Sequence, residues 1–92
     1  MNKLFYVYIL ECSDGTFYTG QTDNLKLRLE EHNGNYTKKG AAYTRTRRPV
    51  KLRHFETYET RSEAMKREYE LKQLKHIEKK AIADNGNLVG FQ

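Results

Sequence analysis

Two short runs of aromatic and β-branched residues stand on either side of an Asp-Gly turn signal near the start of the chain. The first is YVYIL, residues 6–10, and the second is FYTG, residues 17–20. Runs of this length and composition favour strands, and the Ser-Asp-Gly sequence at residues 13–15 is typical of a tight turn. The chain is therefore predicted to begin with a β-hairpin, with strands over about residues 3–11 and 16–22.

The residues after the hairpin predict one helix and then a long polar connection. Thr22 or Asp23 is a suitable N-cap for a helix over about residues 24–33, and Gly34 is a typical stop. From there to Pro49 the chain is polar and basic, with room for one short helical turn at about residues 36–42.

A third strand and two further helices complete the predicted set of elements. The strand covers about residues 50–58, with the sequence VKLRHFETY. Thr60 and Glu63 match a capping box at the start of a long helix that ends near Lys75. A second helical piece is predicted to run to about Asp84, before an Asn-Gly-Asn sequence interrupts it.

The order β-β-α-β-α-α predicts an α+β fold, a small three-stranded, antiparallel-type sheet flanked by helices, with residues 1–92 forming one domain. A chain of this length buries only about 60–65% of its unfolded surface, so a polar group in its core is costly.

Its composition suits a soluble domain, and no apolar run approaches the roughly 18 residues of a membrane span. The lack of a recognisable signal peptide and the single cysteine, Cys12, favour the cytoplasm.

The positive charge is concentrated in one segment of the chain. Seventeen Lys and Arg against twelve Asp and Glu give a net charge of +5. Between residues 38 and 53 there is no acidic residue, and the basic ones are Lys38, Lys39, Arg45, Arg47, Arg48, Lys51 and Arg53. Such a field attracts polyanions, of which nucleic acid is the commonest, and the alternative is a solvated basic loop without a partner.

Arg28 and His32 lie on the predicted first helix where apolar residues are expected. Leu25 and Leu29 mark its buried stripe at i and i+4. Arg28 then lies about 60° to one side of Leu25, and His32 falls between the two leucines. Both are therefore expected to point toward the sheet. A snorkelling arginine and a hydrogen-bonded core histidine are the ordinary alternatives.

Glu68 presents the same anomaly on the long helix. It falls among Ala64, Met65 and Leu71, which form the predicted apolar stripe. A carboxylate in such a position is costly without a cationic partner or a metal ion. An ion pair with Arg28 is the structural alternative to a metal site.

The tyrosines of the hairpin are the third group of polar residues. Tyr8 is expected opposite Tyr18 or within one residue of it, and Tyr6 shares a face with Tyr8. Tyrosine pairs usually pack, yet three phenols exceed what so small a core needs, because each requires a hydrogen-bond partner. Two phenols, those of Tyr8 and Tyr18, together with the guanidinium, imidazole and carboxylate, all aimed at one side of the sheet, suit phosphodiester hydrolysis. The carboxylate can hold a divalent cation, the cation and the arginine can stabilise charge on a phosphate, and a phenol can activate a water molecule.

This arrangement resembles the GIY-YIG nucleases, which are named after two tripeptides on the first two strands. Here they read Tyr-Val-Tyr at residues 6–8 and Tyr-Thr-Gly at residues 18–20, and Tyr6 stands where many members have Gly. Arg28, with His32 one turn later, resembles the helix motif of the family. Glu68 within EAMKREYELK resembles its metal-binding Glu. AAYTRTRRPV, which begins at residue 41, is similar to the small stand-alone bacterial members.

The resemblance implies a metal-dependent endonuclease that hydrolyses a DNA phosphodiester bond. Tyr8 would activate the attacking water, directly or through a relay, and Tyr18 would position water or phosphate. Arg28 would stabilise the pentacovalent phosphate, and His32 would assist in proton handling or phosphate contact. Glu68 would be the sole protein ligand of one Mg²⁺ or Mn²⁺ ion.

The resemblance also implies where nucleic acid would lie and how it would be chosen. Tyr43 and Arg45 would contact backbone phosphates, and the positive charge of the segment adds Lys38, Lys39, Arg47 and Arg48 as expected contacts. Some members add a late Asn, for which Asn85 and Asn87 are the candidates. DNA is favoured over RNA, and the cut would be directed by DNA structure or by a targeting protein, with the protein acting as a monomer. The alternatives are a non-catalytic nucleic-acid-binding or protein-interaction module, and a basic structural protein that binds no nucleic acid.

Overall fold

The protein is represented by a computed structural model in which residues 3–34 and 42–91 are described. The strands are β1 (Phe5–Glu11), β2 (Phe17–Thr22) and β3 (Lys51–Tyr58). The helices are α1 (Leu25–His32), α2 (Ala42–Arg45), α3 (Arg61–Lys72) and α4 (His76–Asp84). The predicted strands and the three longer helices are confirmed. α2 is a single turn, and most of the turn predicted near residues 36–42 lies outside the described residues.

The three strands form an antiparallel sheet in the order β2-β1-β3, with helices on both faces. α1 packs on the face that carries Tyr8, Leu10 and Phe55, called here the α1 face. α3 packs on the face that carries Val7 and Ile9, called here the α3 face. Successive side chains of a strand alternate between the two faces, so one residue's position along β1 or β2 decides which helix it meets. The α+β fold predicted from the sequence is confirmed.

The partner of Tyr8 in the hairpin is two residues from Tyr18, one residue outside the predicted range. Tyr8 lies opposite Gly20, and Tyr18 lies opposite Leu10. The connection is centred on Asp14, so residues at equal distances before and after it face each other. Tyr8 and Tyr18 nevertheless share the α1 face as diagonal neighbours, and their ring centroids are 6.4 Å apart.

The N-cap of α1 is Asn24, and neither Thr22 nor Asp23 has that role. Asn24 Oδ1 accepts a hydrogen bond from the backbone N–H of Leu27 at 3.1 Å. Thr22 still ends its strand, and its hydroxyl accepts from the N–H of Asn24, while Asp23 pairs with Lys3. Beyond the helix the chain turns at Gly34, which has φ +80°, a conformation that favours glycine.

Thr60 caps α3 as predicted, but the buried face of this helix is narrower than predicted. Thr60 Oγ1 accepts from the N–H of Glu63 at 3.2 Å and donates to its carboxylate at 2.9 Å. Ala64 and Leu71 are buried, whereas Met65 is 53% exposed. Met65 is rotated by about 100° from Ala64 around the helix and so leaves the stripe. Within residues 3–34 and 42–91, every helix is too short or too polar to cross a membrane.

Candidate active site at the edge of β2

A chain of buried hydrogen bonds runs through His32 on the α1 face. Tyr8 Oη lies 2.9 Å from His32 Nε2, and Thr44 Oγ1 lies 2.8 Å from His32 Nδ1. Tyr8 is 2% exposed, and His32 and Thr44 are fully buried. The stripe of α1 predicts the inward position of His32, since the residue follows Leu25 and Leu29 on the same side of the helix. β1, α1 and the α2 turn therefore each contribute one member of this chain.

The imidazole of His32 is uncharged at neutral pH. Burial lowers its pKa from 6.5 to about 4, and the positive charge of Arg28 acts in the same direction. A neutral ring has one donor and one acceptor nitrogen. With the proton on Nδ1, the ring donates to Thr44 and accepts from the Tyr8 hydroxyl, and with the proton on Nε2 both directions reverse. His32 can thus accept a proton from Tyr8 without leaving its position.

Acid is expected to destabilise the fold through His32 as the pH falls from 6.5 to about 4. The folded pKa lies below the unfolded one, so in this window the unfolded chain binds the proton more readily and stability decreases. The shift corresponds to a loss of about 3 kcal/mol. Urea unfolding across this pH range measures it. His32→Gln has no titrating ring and should show a flatter profile, and an unchanged profile would contradict the assignment.

Tyr18 packs against the same imidazole from β2. Its ring centroid lies 5.0 Å from that of His32 and 6.0 Å from that of Tyr43 on the α2 turn. Its side chain is partly buried, in contrast to Tyr8. Tyr18 therefore lines the site between the buried pair and the exposed Tyr43.

Gly20 leaves the space through which the Tyr8 side chain reaches the edge strand. A Cβ at this position would lie 2.5 Å from Tyr8 Oη and 3.1 Å from a ring carbon of Tyr18. Real Cβ atoms do not approach other atoms so closely, hence any larger residue would displace the phenol. The absence of a side chain here positions the Tyr8 hydroxyl.

The guanidinium of Arg28 lies beside the Tyr8 hydroxyl, so its positive charge is part of the site. Its Nη1 donates to Glu31 Oε1 at 3.1 Å, and its side chain is 25% exposed. Burial lowers the pKa of Arg28, but the interactions with Glu31 and with the Tyr8 hydroxyl outweigh burial and raise it. The guanidinium therefore stays charged next to Tyr8.

Glu68 is on the other face of the sheet, which corrects the expectation that all five side chains point to one side. α3 covers the α3 face, and Glu68 Oε1 lies 3.4 Å from Nε2 of Gln21 on β2. Glu68 Oε2 pairs with Lys72 at 3.1 Å, so the predicted alternative of an Arg28–Glu68 pair is also wrong. α3 approaches the sheet from the side opposite α1, and this sets the position of the carboxylate.

β2 is an edge strand, and the carboxylate on its α3 face acts on the phenol on its α1 face. The pKa of Tyr8 is raised well above its usual value, mainly by burial and next by Tyr18, and the Glu68 carboxylate also raises it. Arg28 acts in the opposite direction. The candidate site therefore lies along the edge strand β2 and is called here the rim of β2. The phenol, imidazole and guanidinium are on its α1 face, and the carboxylate is on its α3 face.

The oxygen atoms on the Glu68 side fit a hard divalent cation. The carboxylate is 19% exposed, and its cationic partner, Lys72, is a half-exposed side chain on the same helix. Beside it, Gln21 Oε1 is buried and has no hydrogen-bond partner within the described residues. Mg²⁺ and Mn²⁺ prefer such oxygens and commonly use one or two protein ligands with water. Among residues 3–34 and 42–91, no group of three or more His, Cys, Asp or Glu forms a metal-binding cluster.

The basic segment next to the site is held partly by its own arginines. Arg47 pairs with Asp14 at 2.9 Å and lies 3.9 Å over the ring of Tyr43. Arg48 Nε donates to the carbonyl of His32 at 2.6 Å. Arg45 is exposed. These contacts fasten the α2 turn to the hairpin and to α1, and so support Thr44. Lys38 and Lys39 lie outside the described residues.

The two candidate asparagines lie at the far edge of the sheet. Asn87 O accepts from the backbone N–H of Phe55 on β3 at 3.1 Å, and Asn85 Nδ2 donates to the carbonyl of Ala81. β3 and β2 are separated by β1. Neither asparagine therefore joins the groups around Tyr8.

Two residues of the site were not predicted from the sequence, and a third, Gly20, was predicted only as the last residue of a family tripeptide. Thr44 and Gln21 are ordinary polar residues in the sequence, and only the tertiary packing brings them to His32 and Glu68. Gly20 had a signal, because a glycine inside a strand often marks a close approach of another group.

The fold and this site define a class of protein, and comparison with known families agrees with it. The model of the GIY-YIG catalytic domain matches residues 4–81. The chain belongs to the GIY-YIG family, and the predicted resemblance is confirmed. The family is one of nucleases.

Small proteins of archaea and bacteria are similar to this chain over most of their length. A UPF0213 protein of Halobacterium salinarum is 51% identical over 79 residues, which cover 86% of this chain and 99% of that protein. A UPF0213 protein of Haloquadratum walsbyi is 48% identical over 86 residues, which cover 94% of this chain and 93% of that protein. A third, from Desulfotalea psychrophila, is 53% identical over 78 residues, with 85% and 69% covered.

Two solution NMR structures share the fold. The UPF0213 protein of Bacillus halodurans has a TM-score of 0.55 and 41% identity, covering 88% of this chain and 83% of that chain. A protein of E. faecalis has a TM-score of 0.59 and 39% identity, covering 92% and 90%.

Proposed function

We propose that the protein is an endonuclease that hydrolyses a DNA phosphodiester bond with one divalent cation, Mg²⁺ or Mn²⁺. The observation that carries this proposal is the buried Tyr8–His32 hydrogen bond beside a charged Arg28 at the rim of β2. In a chain of the GIY-YIG family, a route for a proton next to a guanidinium that can bind phosphate favours hydrolysis over binding alone.

The direction of the pKa shifts decides how Tyr8 can act. Its raised pKa keeps the hydroxyl protonated at neutral pH, so Tyr8 is not a standing phenolate base. It works instead as a relay: it takes a proton from the attacking water at Oη and passes its own proton to His32 Nε2. The hydroxide formed attacks phosphorus, and the bond from phosphorus to the leaving oxygen breaks. The imidazolium produced lies near the Arg28 charge, which favours return of its proton through Tyr8 to the leaving oxygen.

Arg28 and Tyr18 would bind the scissile phosphate. A guanidinium offers several N–H donors to the oxygens on which charge develops, and a partly buried one is more effective than one in water. Tyr18 lies between the relay and the exposed Tyr43 and would position the water or a phosphate oxygen. This gives each of the two residues a contact with substrate.

Glu68 would hold the cation from the α3 face. A bound divalent ion neutralises charge on the phosphate and lowers the pKa of its bound water. Two observations support this role: the Glu68 carboxylate acts on the Tyr8 hydroxyl across β2, and its ion-pair partner, Lys72, is a half-exposed side chain.

The substrate would be DNA held mainly through its phosphates. The basic segment, residues 38–53, contains Tyr43 and has cationic side chains with no acidic ones among them, so affinity should fall steeply with salt. The cut would be directed by DNA structure or by a targeting protein, with the protein acting as a monomer in the cytoplasm.

A nicking assay tests the proposal. Supercoiled, branched and single-stranded DNA are incubated with the protein and Mg²⁺ or Mn²⁺, and parallel samples contain a chelator. Cleavage is expected with metal and not with the chelator. Salt-sensitive DNA binding with no cleavage under any of these conditions would contradict the proposal and favour a non-catalytic binding module on the same fold.

Gly20→Ala is expected to lower the nicking rate by about a hundredfold and to cost about 1–3 kcal/mol of stability. The added methyl group would displace the buried Tyr8 hydroxyl from His32, but the end of this side chain can move without unfolding the sheet. Single-turnover nicking and urea unfolding measure the two effects.

Gly15→Ala is the matched control. Gly15 has φ +83° and open space around its Cα, so alanine there costs about 1 kcal/mol of strain and leaves the site intact. Equal nicking rates for the two variants would contradict the role given to Gly20.

A further inference from the structure

We infer that Gln21 is a second oxygen ligand of the cation held by Glu68, and that its carboxamide turns over when the ion binds. This inference rests on the proposed function and adds a residue to the ion site. It starts from Gln21 Oε1, a buried amide oxygen without a hydrogen-bond partner within the described residues.

The position of Gln21 on the strand brings it to Glu68. It follows Gly20 and lies opposite Val7, so its side chain is on the α3 face while Gly20 is on the α1 face. Its Nε2 is 3.4 Å from Glu68 Oε1. Gln21 is therefore the residue of β2 that joins the carboxylate to the rim of the site.

Only one end of the carboxamide has a partner among the described residues. Nε2 donates to the carboxylate, and Oε1 receives no hydrogen bond from that part of the chain. Buried acceptors are rarely left in this state in proteins. The oxygen and nitrogen of an amide occupy nearly the same positions after a half turn about χ3. After that turn Oε1 would face Glu68, where two acceptors repel each other unless a cation lies between them.

A divalent cation bound to both oxygens would remove this repulsion. Oxygen ligands lie about 2.0–2.1 Å from Mg²⁺, which places adjacent ligand oxygens about 2.9 Å apart. Gln21 Nε2 and Glu68 Oε1 are now 3.4 Å apart, so the two side chains would have to approach each other by about half an ångström. Without the ion, Gln21 and Lys72 each hold one carboxylate oxygen and keep Glu68 in place. With the ion, Gln21 changes from donor to ligand.

The test is a titration of the free protein with Mn²⁺ alone, followed by the relaxation rate of water protons. Gln21→Leu is expected to weaken Mn²⁺ binding by about tenfold or more, and Glu68→Gln to remove it. Gln21→Glu adds a charged oxygen and is expected to strengthen binding. In the wild-type protein, Mg²⁺ should shift the side-chain amide NMR signals of Gln21.

Thr19→Val is the matched control, because Thr19 also lies on β2 and its hydroxyl is the other buried side-chain oxygen that has no partner among residues 3–34 and 42–91. Val has nearly the same shape, and Mn²⁺ affinity should not change. Urea unfolding of each variant confirms that the fold is intact, and Gln21→Glu gives a second reading if Gln21→Leu is unstable.

The possible results separate this inference from the proposed function. Metal-dependent nicking with equal Mn²⁺ affinity in the wild type and Gln21→Leu overturns the inference and leaves the nuclease proposal standing. Absence of Mn²⁺ binding to the wild type overturns the inference whatever the nicking assay shows. Gln21-dependent binding by a protein that cuts no DNA supports the ion site and removes the proposed activity.

Discussion

Replacing Glu68 by glutamine is expected to lower the rate of metal-dependent nicking by about a thousandfold, or roughly 4 kcal/mol of transition-state stabilisation. The change keeps the shape of the side chain and removes the charge that would hold the cation. Stability should change by less than about 1 kcal/mol, because the ion pair that is lost joins Glu68 to a half-exposed lysine on the same helix. Single-turnover nicking with the best-cut DNA and urea unfolding measure the two quantities.

Glu70→Gln provides the comparison on the same helix. Glu70 is a half-exposed carboxylate that pairs with Arg67 at 3.4 Å, and Arg67 lies beside β3 and not β2. The nicking rate of Glu70→Gln should equal that of the wild-type protein. A Glu68→Gln protein that is folded and cuts as fast as Glu70→Gln would show that the cation, if it is used, is held elsewhere.

Replacing Glu56 by alanine is expected to have the largest effect on stability, a loss of about 3–5 kcal/mol. The carboxylate, 21% exposed, lies on β3 and accepts from three side chains: from Arg67 at 2.8 and 3.2 Å, from the hydroxyl of Tyr58 at 2.6 Å, and from Nε2 of His54 at 2.8 Å. Burial raises its pKa, but these hydrogen bonds outweigh burial and lower it to about 2. Alanine would leave all three donors without their acceptor.

Urea unfolding compares Glu56→Ala with Glu70→Ala, which removes the other carboxylate partner of the same arginine. Glu70 is half-exposed, so its loss should cost less than about 1 kcal/mol. Glu56 also gives the wild type a second acid-sensitive window: its stabilisation is complete above pH 4.5 and is lost as the pH falls toward about 2. Equal stability of the two alanine variants would contradict the importance of this cluster.

Local signals were sufficient to predict the secondary structure. The Asp-Gly turn, the Thr60 cap and the glycine after α1 each act within a few residues of the element that they begin or end. The side of α1 that carries His32 was also predicted, because helical spacing alone relates it to Leu25 and Leu29. The resemblance of these motifs to the GIY-YIG family was confirmed by the family comparison.

The hairpin register and the buried face of α3 show where local signals become ambiguous. A shift of two residues along β2 keeps every side chain on its own face, so the alternation of residues cannot distinguish Tyr18 from Gly20 as the partner of Tyr8. Met65 is apolar yet exposed, because a small sheet covers only a narrow stripe of the helix. The pattern of apolar residues therefore overstated the width of that stripe.

The sequence by itself determined the elements, their order and the polar residues that depart from the apolar pattern, since these depend on contacts between close neighbours in the chain. Only the tertiary structure decided that Thr44 completes the buried chain through His32, that Gln21 meets Glu68, and that the carboxylate reaches the rim from the opposite face of the sheet. Thr44 is 12 positions from His32 in the chain, and Gln21 is 47 positions from Glu68. These contacts follow from how α2 and α3 pack on the sheet, and that packing is a property of the whole folded chain.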